Sequence, residues 1–312
     1  MPIAIIVHGG AGDVAVERRD IAQAGCKEAA LAGYAVLREG GSALDAVEAA
    51  VRALEDNPEY NAGTGACLDR NGNIELDAGM MDGPTLRVGA IAGVERIKNP
   101  ISLARKVLES EHVLLIGRGA EQFAWEQGIE QCATEDLVTG RQLQIWQAAR
   151  EAEEPQHYRR QVGITGNLAR QKQETGTEKH GTVGAVALDM SGALAAATST
   201  GGIRDKYPGR VGDVPLVGCG FYADEEAAIS CTGHGEDFVR LLIAKRTYDF
   251  VAGGQSAREA ALSAIAVLGA HAKGTGGLIV VDRKGEVGFA WNSPNMSYAY
   301  IKDGMEEPKA GV

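Results

Sequence analysis

Short apolar runs and stretches of helical periodicity follow one another along this chain, separated by glycine-rich turns. Ile3 to Val7 is a β-rich run that leads into a glycine turn. From about Arg18 to Arg38 the pattern is helical, with Ile21, Ala24, Ala29, Leu31 and Ala35 among its apolar positions. Gly40-Gly41 ends that helix, because glycine accepts the left-handed C-cap without a Cβ clash. Ser42 caps a second helix, with Asp45 at the capping-box position. Leu44, Val47, Val51 and Leu54 share one face of it, and Asp56-Asn57-Pro58 stops it.

Further strands are expected near Ile74–Asp77 and Arg87–Gly93, a helix over Ser102–Ser110, and a short buried strand over Val113–Ile116. Helices follow near Glu121–Glu126 and Arg141–Glu151. From about 152 to 180 the apolar periodicity is lost. Arg159, Arg160, Arg170, Lys172, Glu174, Glu178 and Lys179 dominate there, which predicts a flexible tether. Strands resume at Thr182–Asp189 and Leu194–Thr200, a hairpin over the turn residues Asp189-Met190-Ser191-Gly192. The pattern then predicts a strand at Ala227–Thr232, helices at Asp237–Val251 and Ala257–Leu268, a strand at Gly277–Val281, and a last strand near Gly288–Asn292. Strands fall at the start and end of each half, with helices between and no long internal repeat. The class is α+β.

Composition narrows the partners. The chain has 312 residues, 45% hydrophobic and 23% charged, enough apolar material for a sizeable core in a soluble globular protein. Net charge is −11 with no lysine- or arginine-rich tract, which argues against nucleic acid or an anionic membrane as partner. The five cysteines form no C-x-x-C pair, and their odd number favours free thiols in a reducing compartment. Met1 to Val7 is too short for a signal segment, and no apolar run approaches the ~18 residues of a membrane helix. The cytoplasm is the expected location. The six histidines lack metal-ligand spacing, so no catalytic zinc is expected. His8-Gly9-Gly10-Ala11-Gly12 lacks G-x-G-x-x-G and the P-loop lysine, and reads as a structural turn.

The stretch Gly181-Thr182-Val183-Gly184-Ala185-Val186-Ala187-Leu188-Asp189 carries the candidate chemistry. A strand-like run begins abruptly at a threonine, directly after the polar segment. That is the layout of a precursor cut between Gly181 and Thr182. A threonine hydroxyl is a weak nucleophile without a base, and an N-terminal threonine brings its own in the α-amine, whose reference pKa is about 7.7–8.0. On its own, the run also fits an ordinary buried strand. Gly209-Arg210-Val211-Gly212-Asp213 sets a cation and an anion three residues apart between glycines. Alone, that pair reads equally as a surface salt bridge.

With Ile6-Val7-His8-Gly9-Gly10-Ala11-Gly12, Asn61-Ala62-Gly63-Thr64-Gly65-Ala66, Leu76-Asp77-Ala78, Met81-Asp82-Gly83, Ala195 to Gly202 and Ser230 to Glu236, these segments run in order over nearly the whole chain. Together with Gly276 to Ile279 and Asn292 to Met296, they resemble the plant-type asparaginase and isoaspartyl peptidase family of N-terminal-nucleophile hydrolases.

The resemblance implies a single four-layer αββα sandwich, self-cleaved into residues 1–181, whose end is the linker of about 152–181, and residues 182–312. It implies hydrolysis of β-aspartyl peptides and L-asparagine by Thr182. Thr200 supports the nucleophile, and Thr232 and Gly233 form the oxyanion hole. Arg210 and Asp213 clamp the substrate, with Asn61 as a further polar contact. It also implies a structural sodium ion held by carbonyls of Leu54, Glu55, Asn57, Tyr60, Ala62 and Thr64, no cofactor for the chemistry, and a dimer of αβ heterodimers. Val214 and Asp205 depart from the family, which usually has a small hydroxyl residue and an asparagine there. The implied substrate is a small molecule or dipeptide; a glycosylasparaginase-like amidase and a non-catalytic binding scaffold are the alternatives. The first normally has aspartate before the threonine and a secretory signal.

Overall fold

The computed structural model describes residues 1–161 and 181–312. Two sheets organise it. The larger has eight strands: β1 (Ala4–Gly12), β2 (Leu76–Asp82), β3 (Val88–Val94), β4 (Leu114–Ile116), β5 (Val183–Leu188), β6 (Leu194–Thr200), β11 (Asn295–Lys302) and β12 (Lys309–Gly311). Their order is β12-β11-β1-β5-β6-β2-β3-β4. The smaller sheet has four strands: β7 (Phe221–Ala223), β8 (Ala227–Gly233), β9 (Gly276–Asp282) and β10 (Val287–Trp291), in the order β10-β9-β8-β7.

The helices are α1 (Arg19–Arg38), α2 (Ala43–Asp56), α3 (Pro100–Glu109), α4 (Gly117–Glu126), α5 (Gly140–Gln161), α6 (Gly235–Leu241), α7 (Ile243–Ala252) and α8 (Ala257–His271).

The period-2 alternation of the strands sorts side chains into three cores. Ile5, Val7, Val183, Ala185 and Ala197 pack with α1, α2 and α3. Ala4, Ile6, Val186, Leu188 and Ala196, from the other face of the same strands, meet Phe221, Ala228, Ile279 and Val281 of the small sheet. Ile229, Cys231, Leu278 and Val280 then pack with Phe238 and with α7 and α8. One face of the large sheet thus packs with α1–α3, its other face with the small sheet, and the small sheet with α7 and α8.

The hairpin of β5 and β6 forms as expected, with Ala185 opposite Ala197. Ser42 Oγ accepts the Asp45 N–H and starts α2, whose Val47, Val51 and Leu54 are fully buried.

Several expectations need correction. Ile21 and Leu31 of α1 are exposed; its buried face is Ala22, Cys26, Ala29, Ala30 and Gly33. Small residues face inward because α1 packs hard on α2, where a Cβ on Gly33 would come 2.7 Å from the Ala46 carbonyl. The glycine run after Val7 is no turn: β1 continues to Gly12, with a bulge between His8 and Gly10, because β11 pairs along it. β4 is an edge strand whose Leu114 and Ile116 are exposed. The helix expected over Asp237–Val251 is two, divided at Leu242 in a left-handed conformation with φ 51°. The chain does not end its strands at Asn292, since β11 and β12 follow. α5 runs to Gln161, beyond Glu151; the remainder of the expected tether, 162–180, lies outside the described residues.

Candidate active site

The β5–β6 register sets the site. Val183 faces Ser199, which places Thr182 at the head of β5 beside Thr200 at the end of β6. Thr182 Oγ1 donates to Thr200 Oγ1 over 3.3 Å, and Thr200 Oγ1 also accepts the Gly202 N–H at 2.9 Å. Both threonines are buried, at 6% and 2% exposure, and both line one small cleft with Gly181, Arg210, Asp213 and Gly233.

The Gly181–Thr182 bond is tightly enclosed. Gly10, at φ 115°, passes so close that a Cβ there would sit 2.8 Å from Gly181 Cα. A Cβ on Gly181 would sit 2.9 Å from Asn61 Cβ. A side chain at Gly10 would therefore strike Gly181, and one at Gly181 would strike Asn61. Asn61 Nδ2 donates to the Gly202 carbonyl and its Oδ1 accepts the Cys67 N–H, each at 2.7 Å. Its amide is thus engaged by backbone, and the residue borders Gly181 from a neighbouring cavity.

Beneath Thr182 lies a fully buried histidine. His8 Nδ1 is 3.1 Å from the Thr182 carbonyl, and Nε2 is 2.8 Å from Ser230 Oγ. The carbonyl can only accept, so Nδ1 carries the hydrogen and Nε2 accepts from Ser230. Burial lowers the His8 pKa to about 3, so the ring is neutral. Gly184 faces His8 across the β1–β5 pairing, and any side chain there would strike both His8 and Ser230.

β8 supplies the opposite wall. Thr232 is fully buried, and its Oγ1 accepts the Ala11 N–H at 3.1 Å, which leaves the hydroxyl hydrogen to donate. Gly233 follows, with no room for a Cβ, which would lie 2.6 Å from Gly276 Cα.

The loop after β6 contributes two charges. Arg210 Nε and Nη2 donate to the two carboxylate oxygens of Glu236 at 2.9 and 2.8 Å. That pairing holds the Glu236 carboxyl down at about 2. Asp213 is 3% exposed, and burial pushes its carboxyl up to about 7. Its Oδ2 has no hydrogen-bond partner among the described residues. A buried carboxylate oxygen without a donor is suited to a cationic ligand.

A family model described as Asparaginase matches residues 1–308. A plant-type L-asparaginase of Thermococcus kodakarensis is 48% identical over 316 residues, covering 99% of each chain. One from Pyrococcus horikoshii is 47% identical over 313 residues, 99% of this chain and 100% of the relative. An isoaspartyl peptidase/L-asparaginase of Homo sapiens is 44% identical over 311 residues, 97% of this chain and 94% of the relative.

The chain belongs to the asparaginase family. Asp205 and Val214, where the resemblance is broken, have clear surroundings. Asp205 sits at φ 60°, a conformation that aspartate and asparagine both tolerate, and its carboxylate pairs with Arg150 of α5. Val214 is buried and offers only its carbonyl, which accepts from Thr198 Oγ1 at 3.1 Å.

The loop from Leu54 to Thr64 closes on itself. The carbonyls of Leu54, Glu55 and Asn57 accept the N–H groups of Asn57, Thr64 and Tyr60 at 3.3, 2.8 and 3.2 Å. Each keeps a second lone pair. The Glu55 side chain turns to the Ile101 N–H at 3.0 Å, and burial pushes its carboxyl up to about 8. A loop of neutral oxygens fits a singly charged hard cation. Among the described residues no cluster of His, Cys, Asp and Glu could hold a metal ion.

Sequence reasoning missed His8, Ser230, Glu236 and Lys206. Lys206 is fully buried and donates to the Glu75 carbonyl at 2.8 Å; its charge counteracts the burial that pushes Asp77 up to about 6. Only His8 had a visible signal, a lone polar residue directly after the apolar run Ile3–Val7.

Proposed function

We propose that this protein is a self-processing amidohydrolase of N-terminal β-aspartyl peptides and L-asparagine, with Thr182 as nucleophile. The observation that carries the reading is the placement of Thr182 Oγ1 against Thr200 in a cleft that also holds Arg210, Asp213 and Gly233. The three stacked cores support the four-layer αββα sandwich implied by the sequence.

In the precursor, the Thr182 hydroxyl attacks the Gly181 carbonyl and the acyl group moves from nitrogen to oxygen. That shift breaks the peptide C–N bond and frees the α-amine of Thr182; water then hydrolyses the ester, which releases residues 1–181 and regenerates the Thr182 hydroxyl. In the mature enzyme that amine accepts the hydroxyl proton as Oγ attacks the substrate's side-chain carbonyl. The Thr232 hydroxyl and the Gly233 N–H donate to the oxyanion. The amine returns the proton to the leaving amide nitrogen, and water, activated by the same amine, hydrolyses the acyl-enzyme. Arg210 takes the α-carboxylate of the aspartyl unit and Asp213 its α-ammonium. Incubating purified protein with β-Asp-Leu should release leucine. Complete cleavage of the chain with no leucine would overturn the catalytic assignment.

The Asp213 carboxyl near pH 7 makes the clamp pH-sensitive. A raised acid is neutral below its pKa, so attraction for the substrate ammonium weakens as the pH falls through about 7. KM for β-Asp-Leu should therefore rise on acidification. With Asp213→Asn it should be high and nearly independent of pH. A wild-type KM that stays flat through this range would contradict the role.

The carbonyls of Leu54, Glu55, Asn57, Tyr60, Ala62 and Thr64 would hold a structural sodium ion that stiffens the loop beside Asn61; it supplies no chemistry. The assembly we infer is a dimer of processed heterodimers. Light scattering of the active enzyme should give twice the mass of one chain, and a fully active single unit would refute it. No described helix is long and apolar enough to cross a membrane. The five free cysteines support a reducing compartment, and we place the protein in the cytoplasm.

A further inference from the structure

A guanidinium offers two usable edges to carboxylates, one formed by Nε and Nη2 and the other by Nη1 and Nη2. In Arg210 the first edge is fully taken, with both Glu236 oxygens at 2.9 and 2.8 Å. Gly212 packs close to the same guanidinium, where a Cβ would come 2.9 Å from Nη1 and 3.3 Å from Cζ and Nη2. Gly235 lies close to the same group: a Cβ there would come 3.0 Å from Arg210 Nη2 and 2.8 Å from Asp213 Oδ1. Side chains at either position would crowd the Arg210–Asp213 pair, and Arg210, Gly212 and Asp213 all line the cleft that holds Thr182.

Glu236 is itself well placed. It stands in the first turn of α6, directly after the Thr232-Gly233 wall. His234 Nε2 lies 3.4 Å from its Oε2. The next residue anchors that turn: Asp237 meets His234 Nδ1 at 2.9 Å, the Gly274 N–H at 3.1 Å and Arg240 at 2.8 Å.

We propose that Glu236 is the positioning residue of the substrate clamp: it grips Arg210 by the Nε/Nη2 edge so that the Nη1/Nη2 edge faces the cleft and receives the substrate's α-carboxylate. The proposal rests on the clamp assigned to Arg210 above. The two carboxylates use different edges, so the substrate does not have to displace Glu236. A long arginine side chain has many rotamers, and fixing one before binding removes that ordering cost from recognition. The same turn thus serves both ends of the reacting aspartyl unit, with Gly233 at the oxyanion and Glu236, through Arg210, at the α-carboxylate.

The test uses Glu236→Ala and Glu236→Gln in the full chain, with three readouts. Self-cleavage, read on a gel, should proceed as in wild type, because the precursor reaction involves no substrate carboxylate; it also reports correct folding. For β-Asp-Leu, KM should rise about tenfold, the scale of one disturbed charge-assisted hydrogen bond, while kcat changes less than threefold. Inhibition by L-aspartate, which carries the same α-carboxylate, should weaken in parallel with KM. Glu236→Asp, which keeps the charge but shortens the reach, should fall between. An unchanged or lowered KM in cleaved Ala and Gln variants would overturn the proposal, a lowered one indicating that Glu236 competes with substrate. A loss confined to kcat would also overturn it. Failure of the wild-type protein to bind or hydrolyse β-Asp-Leu would instead count against the function on which the proposal rests.

Discussion

Thr182→Ala is expected to leave the protein as one uncut chain and to remove its hydrolase activity. Both losses follow from one atom. In the proposed mechanism the hydroxyl that reaches Thr200 at 3.3 Å attacks both in the precursor and in the mature enzyme. Without it no acyl shift begins, so no α-amine is released, and the catalytic base is missing along with the nucleophile. Loss of the nucleophile in a serine protease costs about 10⁶ in kcat, and a loss of that order would place the variant at the background rate. Thr182→Ser keeps the hydroxyl and should still cleave itself and turn over, more slowly. The fold itself should survive, since Thr182 precedes β5 and every strand pairing of the large sheet remains available. The decisive measurement is N-terminal sequencing of the smaller fragment from wild type, which should begin at Thr182. A fragment beginning elsewhere, or normal cleavage of the alanine variant, would sink the assignment.

Much of this was legible because it is local. Ser42 at an N-cap, Gly40-Gly41 after α1 and the alternating residues of β5 and β6 each act through neighbours a few positions away. The start of β5 just after Thr182 is local too, where an apolar run begins abruptly after a charged stretch. What stayed hidden depends on distant partners. β11 forms along β1, nearly the full length of the chain away, and this pairing also keeps the glycine run after Val7 extended. The buried face of α1 is chosen by close contact with α2, which favours Gly33 and Ala29 over Ile21 and Leu31. Glu236 looked like any helix-start acid, and only folding places it on Arg210. The resemblance supplied Arg210 and Asp213 as a pair. The structure separates their surroundings: one is held by a neighbouring carboxylate, the other is left with an unpartnered oxygen.

That separation underlies the second large effect, discrimination between isomeric dipeptides. The mature enzyme should hydrolyse β-Asp-Leu and leave α-Asp-Leu intact. A β-linked aspartyl residue at an N-terminus keeps a free α-carboxylate for Arg210 and a free α-ammonium for Asp213. In the α-linked isomer the α-carboxylate has become the peptide bond, so Arg210 faces a neutral amide and the scissile carbonyl lies one methylene out of place for Thr182. Leaving a buried charge without its partner costs about 2–5 kcal/mol in recognition, and misplacement of the reacting carbon adds to it. L-Asparagine keeps both charged groups and should also be a substrate. Arg210→Ala should weaken β-Asp-Leu and L-asparagine together by about the same 2–5 kcal/mol, while the variant still cleaves between Gly181 and Thr182, a reaction with no substrate carboxylate to recognise. Hydrolysis of α-Asp-Leu at a rate comparable to β-Asp-Leu would show that Arg210 and Asp213 do not form the clamp. Failure of Arg210→Ala to cleave itself would show that Arg210 also shapes the precursor site around Gly181.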